Sequence, residues 1–260
     1  MHAASTGPAA YMAGGIDLIA ALKTGAPLRD LIHLDKLPGW ASITERDDCI
    51  LIGSGATHQM VANNRAVCAT YPGLCEAWSR LANNRIRNKG TIGGNLMARN
   101  PAYDFPIVVM AAGAALGFLD SNLATQELGV ERLAELPPGA LLTSIALPRA
   151  RWVGFVVRLE WKPIVAFALS FHREQEELIG RLAVGCGYPT PVGSTLHFDR
   201  GVIELGSRET AADMTEQLCS SLPAPRTDLR ASSEYRNHLL RVLVRREIER
   251  MRARELALET

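Results

Sequence analysis

Two short segments have the composition of anion-holding loops. Ala13-Gly14-Gly15-Ile16-Asp17 and Thr91-Ile92-Gly93-Gly94-Asn95 each set twin glycines between apolar residues. A glycine pair lets the backbone turn sharply and bring its N–H groups near an oxyanion with no Cβ in the way. Where a helix follows, the amides of its first turn add donors. One such loop is weak evidence, because glycine turns are common. Two of them, about eighty residues apart, fit a ligand with two phosphates better than either does alone. A third segment, Gly53-Ser54-Gly55-Ala56-Thr57-His58, follows an apolar run, as a dinucleotide fingerprint would. His58, however, stands where that fingerprint needs a glycine or alanine for close helix–strand contact. No glycine is followed by Lys-Ser or Lys-Thr at P-loop spacing, so a nucleotide would be held in another way.

The other reactive side chains form no metal or nucleophile pattern. Cys49, Cys68, Cys75, Cys186 and Cys219 are odd in number and scattered, with no C-x-x-C pair. That argues against a disulfide framework or a zinc or iron–sulfur cage, and suits a reducing cytoplasm. His33, His172, His197 and His238 are isolated from one another and have no metal-ligand spacing. His58, at a strand-to-helix turn, and Cys186, between two glycines, read as structural. Lys+Arg 28 against Asp+Glu 27 removes the electrostatic case for a nucleic-acid binder. With 47% apolar and 21% charged residues the 260-residue chain is globular. The N-terminus has neither a basic region nor a long apolar one. The longest apolar run, Phe105 to Leu119, contains Pro106 and two glycines. It falls short of the ~20 residues a membrane span needs and is expected to be a buried helix.

Punctuation and periodicity supply the elements that must position these loops. Strands are expected over Ala9–Ala13, Leu31–Leu34, Asp48–Gly53 and Leu141–Leu147. Helices are expected over Asp17–Lys23, ending at a left-handed Gly25, over a Thr57-capped stretch to Asn64, and over Gly73–Ala82. After Pro148 the texture changes. Phe155–Leu159, Ile164–Phe171 and Leu178–Val184 read as an antiparallel meander, and Pro189, Pro191 and Gly193 break the chain beyond it. A helix from Ser232 or Ser233 carries Leu240, Val244, Ile248 and Met251 on one face, broadened by Leu239 and Leu243, with arginines opposite. The boundary falls near residue 150, with a mixed α/β part before it and a small α+β domain after.

The stretch Asn84 to Pro106, NRIRNKGTIGGNLMARNPAYDFP, resembles the signature of the FAD-binding domain in the molybdenum hydroxylases, the family of xanthine dehydrogenase and aerobic carbon monoxide dehydrogenase. Tyr11 to Leu18 (YMAGGIDL) is similar to the family's A-G-G-T-D-L loop, and Ile50 to His58 to its second-lobe strand. Leu136 to Pro148 is similar to the strand that ends the flavin domain. Arg181 to Pro191 and Asp228 to Arg246, with RASSEYR, are similar to its C-terminal domain. The resemblance implies an α+β fold. A two-lobed PCMH-type FAD-binding domain (1–150, lobes about 1–45 and 46–150) is followed by a carbon monoxide dehydrogenase flavoprotein-like C-terminal domain (151–260) of antiparallel sheet plus helices.

Carried over by motif, the resemblance implies that Tyr11, Met12, Ala13, Gly14, Gly15, Ile16, Asp17 and Leu18, with Thr91, Ile92, Gly93, Gly94 and Asn95, wrap the FAD pyrophosphate and ribityl chain. Asp104 would accept hydrogen bonds on the adenosine side, Leu81 would offer main-chain contacts near the adenine, and Leu142 and Arg158 would approach the isoalloxazine. The family often has lysine at the last position, and arginine changes the donor geometry. Ile16 replaces a usual polar residue, Trp161-Lys162-Pro163-Ile164 replaces a usual arginine- and aspartate-rich strand, and only about ten residues precede the first loop, where the family has a further strand and helix. The implied role is an FAD-carrying electron-transfer subunit with no catalytic residue of its own. Its implied partners are an iron–sulfur small subunit, a molybdopterin large subunit and a terminal acceptor (NAD, quinone, oxygen or a carrier protein). A stand-alone FAD oxidase and a remnant or assembly protein with a decayed cofactor site stay open as rivals. The short second half weighs against the first, whereas Ile16 and the short N-terminus favour the second.

Overall fold

The computed structural model describes residues 9–28, 30–100, 103–159, 164–199 and 208–258. Of the replaced segment, Trp161-Lys162-Pro163 lies outside them. The chain divides into two compact units, residues 1–100 with 114–149, and residues 101–113 with 150–260. The stretch from Pro101 to Gly113, read from sequence as part of the first domain, thus clusters with the second unit.

In the first unit, β1 (Ala9–Met12) pairs parallel with β2 (Asp30–His33), joined through helix α1 (Ile16–Lys23). The helix ends where Gly25 adopts φ 90°, the left-handed conformation glycine takes without a Cβ penalty. A five-stranded sheet follows, built from β3 (Ile43–Glu45), β4 (Cys49–Gly53), β5 (Ala115–Leu119), β6 (Thr125–Gly129) and β7 (Leu141–Pro148). Its order is β3-β4-β7-β5-β6 and every neighbouring pair is antiparallel. Ile50 and Ile52 of β4, Ile145 and Leu147 of β7 and Leu116 of β5 are buried at alternate positions, the period that puts one strand face into a core.

Five short helices lie between β4 and the end of the signature: α2 (His58–Ala62), α3 (Arg65–Thr70), α4 (Pro72–Arg80), α5 (Asn84–Lys89) and α6 (Ile92–Met97). Thr57, Asn64, Asn83 and Thr91 cap four of them through side-chain oxygens that accept backbone N–H groups. The Tyr71 hydroxyl, between α3 and α4, donates to the Pro148 carbonyl and ties this helical layer to β7. Cys68 and Cys75 form a disulfide, their Cα atoms 5.3 Å apart. The pairing was not expected from the sequence. The α3–α4 turn brings the two cysteines together across seven positions, a spacing that matches no motif.

The second unit is an antiparallel meander, β8 (Arg151–Arg158), β9 (Phe167–Glu174), β10 (Glu177–Val184) and β11 (Val192–Asp199), in the order β11-β10-β9-β8. Phe167, Leu169 and Phe171 of β9 and Leu178, Leu182 and Val184 of β10 pack on helices α8 (Arg208–Ser220) and α9 (Ser233–Leu258) through Met214, Leu218, Leu240, Val244 and Ile248. On the other face lies α7 (Phe105–Ala112), where Ser170 Oγ donates to the Ala111 carbonyl at 2.6 Å. Burial on both faces explains why β9 and β10 read as near-continuous apolar runs. The expected single helix over Phe105–Leu119 is instead α7 and β5. Gly113, at φ 66°, ends the helix, and the chain re-enters the first unit as a strand.

Candidate functional site

The first twin-glycine loop closes on the residues that lead into the second, far apart in sequence. A Cβ built on Gly14 would fall 1.9 Å from the Lys89 carbonyl oxygen and 3.3 Å from Gly90 Cα, and one on Gly90 would lie 3.8 Å from Ile16 Cγ1. The first loop therefore closes against the residues just before Thr91, and Gly14 permits it by having no side chain. Gly15 is the N-cap of α1, at φ 75°, and offers no side-chain oxygen to the helix start. Gly15 O accepts the Ile19 N–H at 3.0 Å, and the N–H groups of Gly14, Gly15 and Ile16 meet no protein acceptor among the described residues. Three unpaired donors at the N-terminus of an eight-residue helix make an anion cradle. Ile16, 37% exposed, contributes its main chain to it and no hydroxyl.

The TIGGN segment is built differently. Ile92 N–H donates to Ala56 O at 2.9 Å, Gly93 N–H to Ser54 O at 2.9 Å and Asn95 N–H to Thr91 O at 3.0 Å. Gly94 N–H donates to Thr91 Oγ1 at 3.1 Å. Four of its five amides are thus committed inside the protein. A Cβ on Gly93 would lie 2.5 Å from Ser54 Cβ, so this glycine serves close packing of TIGGN on the β4–α2 turn. What the segment leaves for a ligand is the exposed surface of Gly94 and the side chain of Asn95. The glycines of Gly53-Ser54-Gly55 are explained in the same way. A Cβ on Gly55 would fall 1.9 Å from Trp40 Cδ1, and one on Gly53 would fall 2.4 Å from Trp40 O. They serve packing, in line with the rejected dinucleotide fingerprint.

Two further first-unit positions singled out from sequence are occupied by protein contacts. Leu81 donates its N–H to Trp78 O at 3.1 Å and accepts Arg87 Nη1 at 2.7 Å on its carbonyl. Leu142, opposite Phe118 in the β5–β7 ladder, is buried, which leaves only its main chain for a ligand. Asp104 and Arg158 belong to the second unit. Asp104 is the N-cap of α7 but makes no side-chain cap bond, and burial pushes its carboxyl up to about 6. Arg158, at the end of β8, donates Nε at 2.8 Å and also Nη2 to Glu247 Oε1, which further accepts Arg250 Nη1 at 2.7 Å. The position read as an isoalloxazine contact thus has a carboxylate partner in its own unit.

Sequence reasoning missed the part played by four residues. Lys89 and Gly90 are the floor against which Gly14 closes. Arg87 reaches Leu81 O, Ala82 O and Gln59 Oε1 and so ties α5 to α2. His58 is buried and linked to both Trp78 and Asn95. The arginine and glycine of IRNKG were visible signals; the histidine had none beyond its place at a turn. Among the described residues no group of three or more His, Cys, Asp or Glu could hold a metal ion, and no helix is long and apolar enough to cross a membrane.

A donor cradle of this kind can take an oxyanion. The family of the FAD binding domain in molybdopterin dehydrogenase matches residues 2–150. The carbon monoxide dehydrogenase medium chain of Afipia carboxidovorans is 27% identical over 255 residues, 94% of this chain and 88% of that one. The 6-hydroxypseudooxynicotine dehydrogenase complex subunit alpha of Paenarthrobacter nicotinovorans is 29% identical over 154 residues, 54% of this chain and 50% of that protein. The match to this second relative therefore spans only half its length. Among solved structures, a Cu,Mo-CO dehydrogenase superposes with a TM-score of 0.78 at 24% identity, over 95% of this chain and 90% of that one. Quinoline 2-oxidoreductase from Pseudomonas putida 86 gives 0.75 at 20%, over 94% and 90%, and both likenesses bear on the fold. Because the family match runs over more than half of the residues, the chain belongs to the family of the FAD binding domain in molybdopterin dehydrogenase.

Proposed function

We propose that this chain is the FAD-carrying electron-transfer subunit of a three-subunit molybdenum hydroxylase. Bound FAD supplies the redox chemistry that hands electrons from a partner's iron–sulfur clusters to a terminal acceptor, and this division of labour needs no acid–base pair here. The observation that carries the reading is the cradle of unpaired N–H groups at Gly14, Gly15 and Ile16, closed by Gly14 against Lys89. These amides would hold the pyrophosphate, with the positive end of α1 behind them. Asn95 and the open face of Gly94 would line the next stretch of cofactor. Asp104, half-buried and without a cap bond to its own helix, is the proposed acceptor for ribose hydroxyls.

An iron–sulfur small subunit and a molybdopterin large subunit are the proposed partners. Relatives named as a subunit alpha and a medium chain of dehydrogenases support that assembly. The test is to release the cofactor of the purified full-length chain, or of its complex, with acid and identify it by chromatography. FAD is expected. FMN alone at full occupancy would sink the pyrophosphate reading, and a colourless chain that no flavin reconstitutes would favour the remnant.

A further inference from the structure

Helix α5 ends in the wall of the anion cradle, since a Cβ on Gly14 would fall 1.9 Å from the carbonyl oxygen of its last residue, Lys89. The helix has six residues and none of them is buried. A helix so short does not hold itself in water, and without a buried face it draws little from apolar packing. Its place therefore depends on polar ties. Asn83 accepts the Ile86 N–H at 2.9 Å, a cap that fixes the first turn but reaches no other element. Just past the last turn, the Gly90 carbonyl accepts the His58 N–H at 3.1 Å.

The Arg87 guanidinium ties the middle of the helix in two directions. Its Nε donates to Gln59 Oε1 on α2 at 3.1 Å, and its Nη1 donates to Leu81 O at 2.7 Å and to Ala82 O at 3.3 Å. Ala82 lies at φ 45°, the left-handed region that a residue with a Cβ seldom enters. The arginine thus grips both carbonyls of the α4–α5 turn at the point where its backbone is least comfortable. A guanidinium is a rigid planar fork, so these bonds form together in only a narrow range of α5 positions.

We propose that Arg87 is a positioning residue of the anion cradle. By fixing α5 to the α4–α5 turn and to α2, it sets the Lys89 carbonyl where Gly14 closes against it. The N–H groups of Gly14, Gly15 and Ile16 are thereby aligned for the pyrophosphate of FAD. The inference rests on the FAD reading above. Arg87 acts through the Lys89 main chain and needs no contact with a phosphate.

The experiment uses the full-length chain, freed of flavin and titrated with FAD by fluorescence, beside a thermal melt and phosphorus-31 NMR of the bound cofactor. Arg87→Met keeps the length of the side chain and loses every donor. It is expected to weaken FAD binding about tenfold, the order of one charged hydrogen bond, and to move the pyrophosphate signals. Arg87→Lys, with one donor centre, should recover part of both. In a Gly14→Ala background, where the loop is already displaced, Arg87→Met should weaken binding little further. An equal loss in the two backgrounds assigns Arg87 to general structure and refutes the positioning role. A lowered melt with unchanged Kd and phosphorus signals refutes it as well. Should Arg87→Met not fold, Arg87→Lys and Gln59→Ala decide: each is expected to lose affinity in the same direction by less, and wild-type affinity in both overturns the proposal. A wild-type chain that binds no FAD sinks the flavin reading itself, whereas FAD bound equally well by Arg87→Met sinks only the role of Arg87.

Discussion

Substituting alanine for Gly14 tests the closure of the two loops with a single methyl group. Its Cβ would fall 1.9 Å from the Lys89 carbonyl oxygen and 2.8 Å from the Lys89 carbonyl carbon. Ordinary contact begins near 3.4 Å, so the first loop must open by about 1.5 Å, and because the obstacle is main chain no rotamer change can absorb it. Overpacking of this kind costs about 1–3 kcal/mol of stability, which a 260-residue chain should survive in a folded state. The larger effect falls on the cofactor. Displacing Gly14, Gly15 and Ile16 together takes three donors off the proposed pyrophosphate site, and misplacement by about 1 Å is worth roughly 10²-fold. The assay is a fluorescence titration of the flavin-free chain with FAD beside a thermal melt. A Gly14→Ala chain with wild-type affinity and a wild-type melt would refute the closure argument, and a melt that collapses together with binding would make the loop a folding element.

Other consequences follow from the same geometry. Gly55→Ala should destabilise the fold by about 2 kcal/mol, because its Cβ would fall 1.9 Å from Trp40 Cδ1; Trp40→Leu should relieve the loss, and additive melts would refute the contact. Reducing Cys68–Cys75, a loop of seven positions, should lower stability by about 2–3 kcal/mol on the chain-entropy estimate, read by denaturant melts with and without reductant and by alkylation mapped in a mass spectrometer. Burial lowers the pKa values of His58 and His172 from 6.5 to about 4. The unfolded chain therefore takes up these protons first, and stability should fall as pH drops from 6.5 towards 4, by about 3 kcal/mol for His58. Asp104, raised from 3.8 to about 6, acts with the opposite sign, losing stability as pH rises through that range. His58→Gln should flatten the acid-side fall, and an unchanged pH–stability curve would refute the assignment.

Most of the strands and the long helix were legible because each carries its pattern locally. Ser233–Leu258 presents Leu240, Val244, Ile248 and Met251 to the core as their spacing requires, and the meander pairs as read. The run Phe105–Leu119 was not legible in the same way. A continuous apolar stretch carries no period, and only Gly113 marks the point where helix turns to strand. Strand β11 was hidden by Gly193, which lies within it rather than breaking it. The disulfide depends on a turn between two short helices, and no spacing rule describes that turn.

The site shows the same split between what a motif announces and what it does. TIGGN is the most specific block in the sequence, yet its amides are spent on Ala56, Ser54 and Thr91, so its recognisability comes from packing. The N–H groups left for a phosphate lie in the less distinctive loop at Gly14 and Gly15, where the sequence departs from the expected pattern at Ile16. A main-chain donor set is indifferent to the side chain at that position, provided the backbone keeps its course. That course depends on Gly14 meeting Lys89 and on Gly15 at φ 75°. The replacement by isoleucine therefore removes a side-chain hydroxyl from the cradle without removing the cradle, and the glycines beside it are the positions at which a decayed site would first be expected to change.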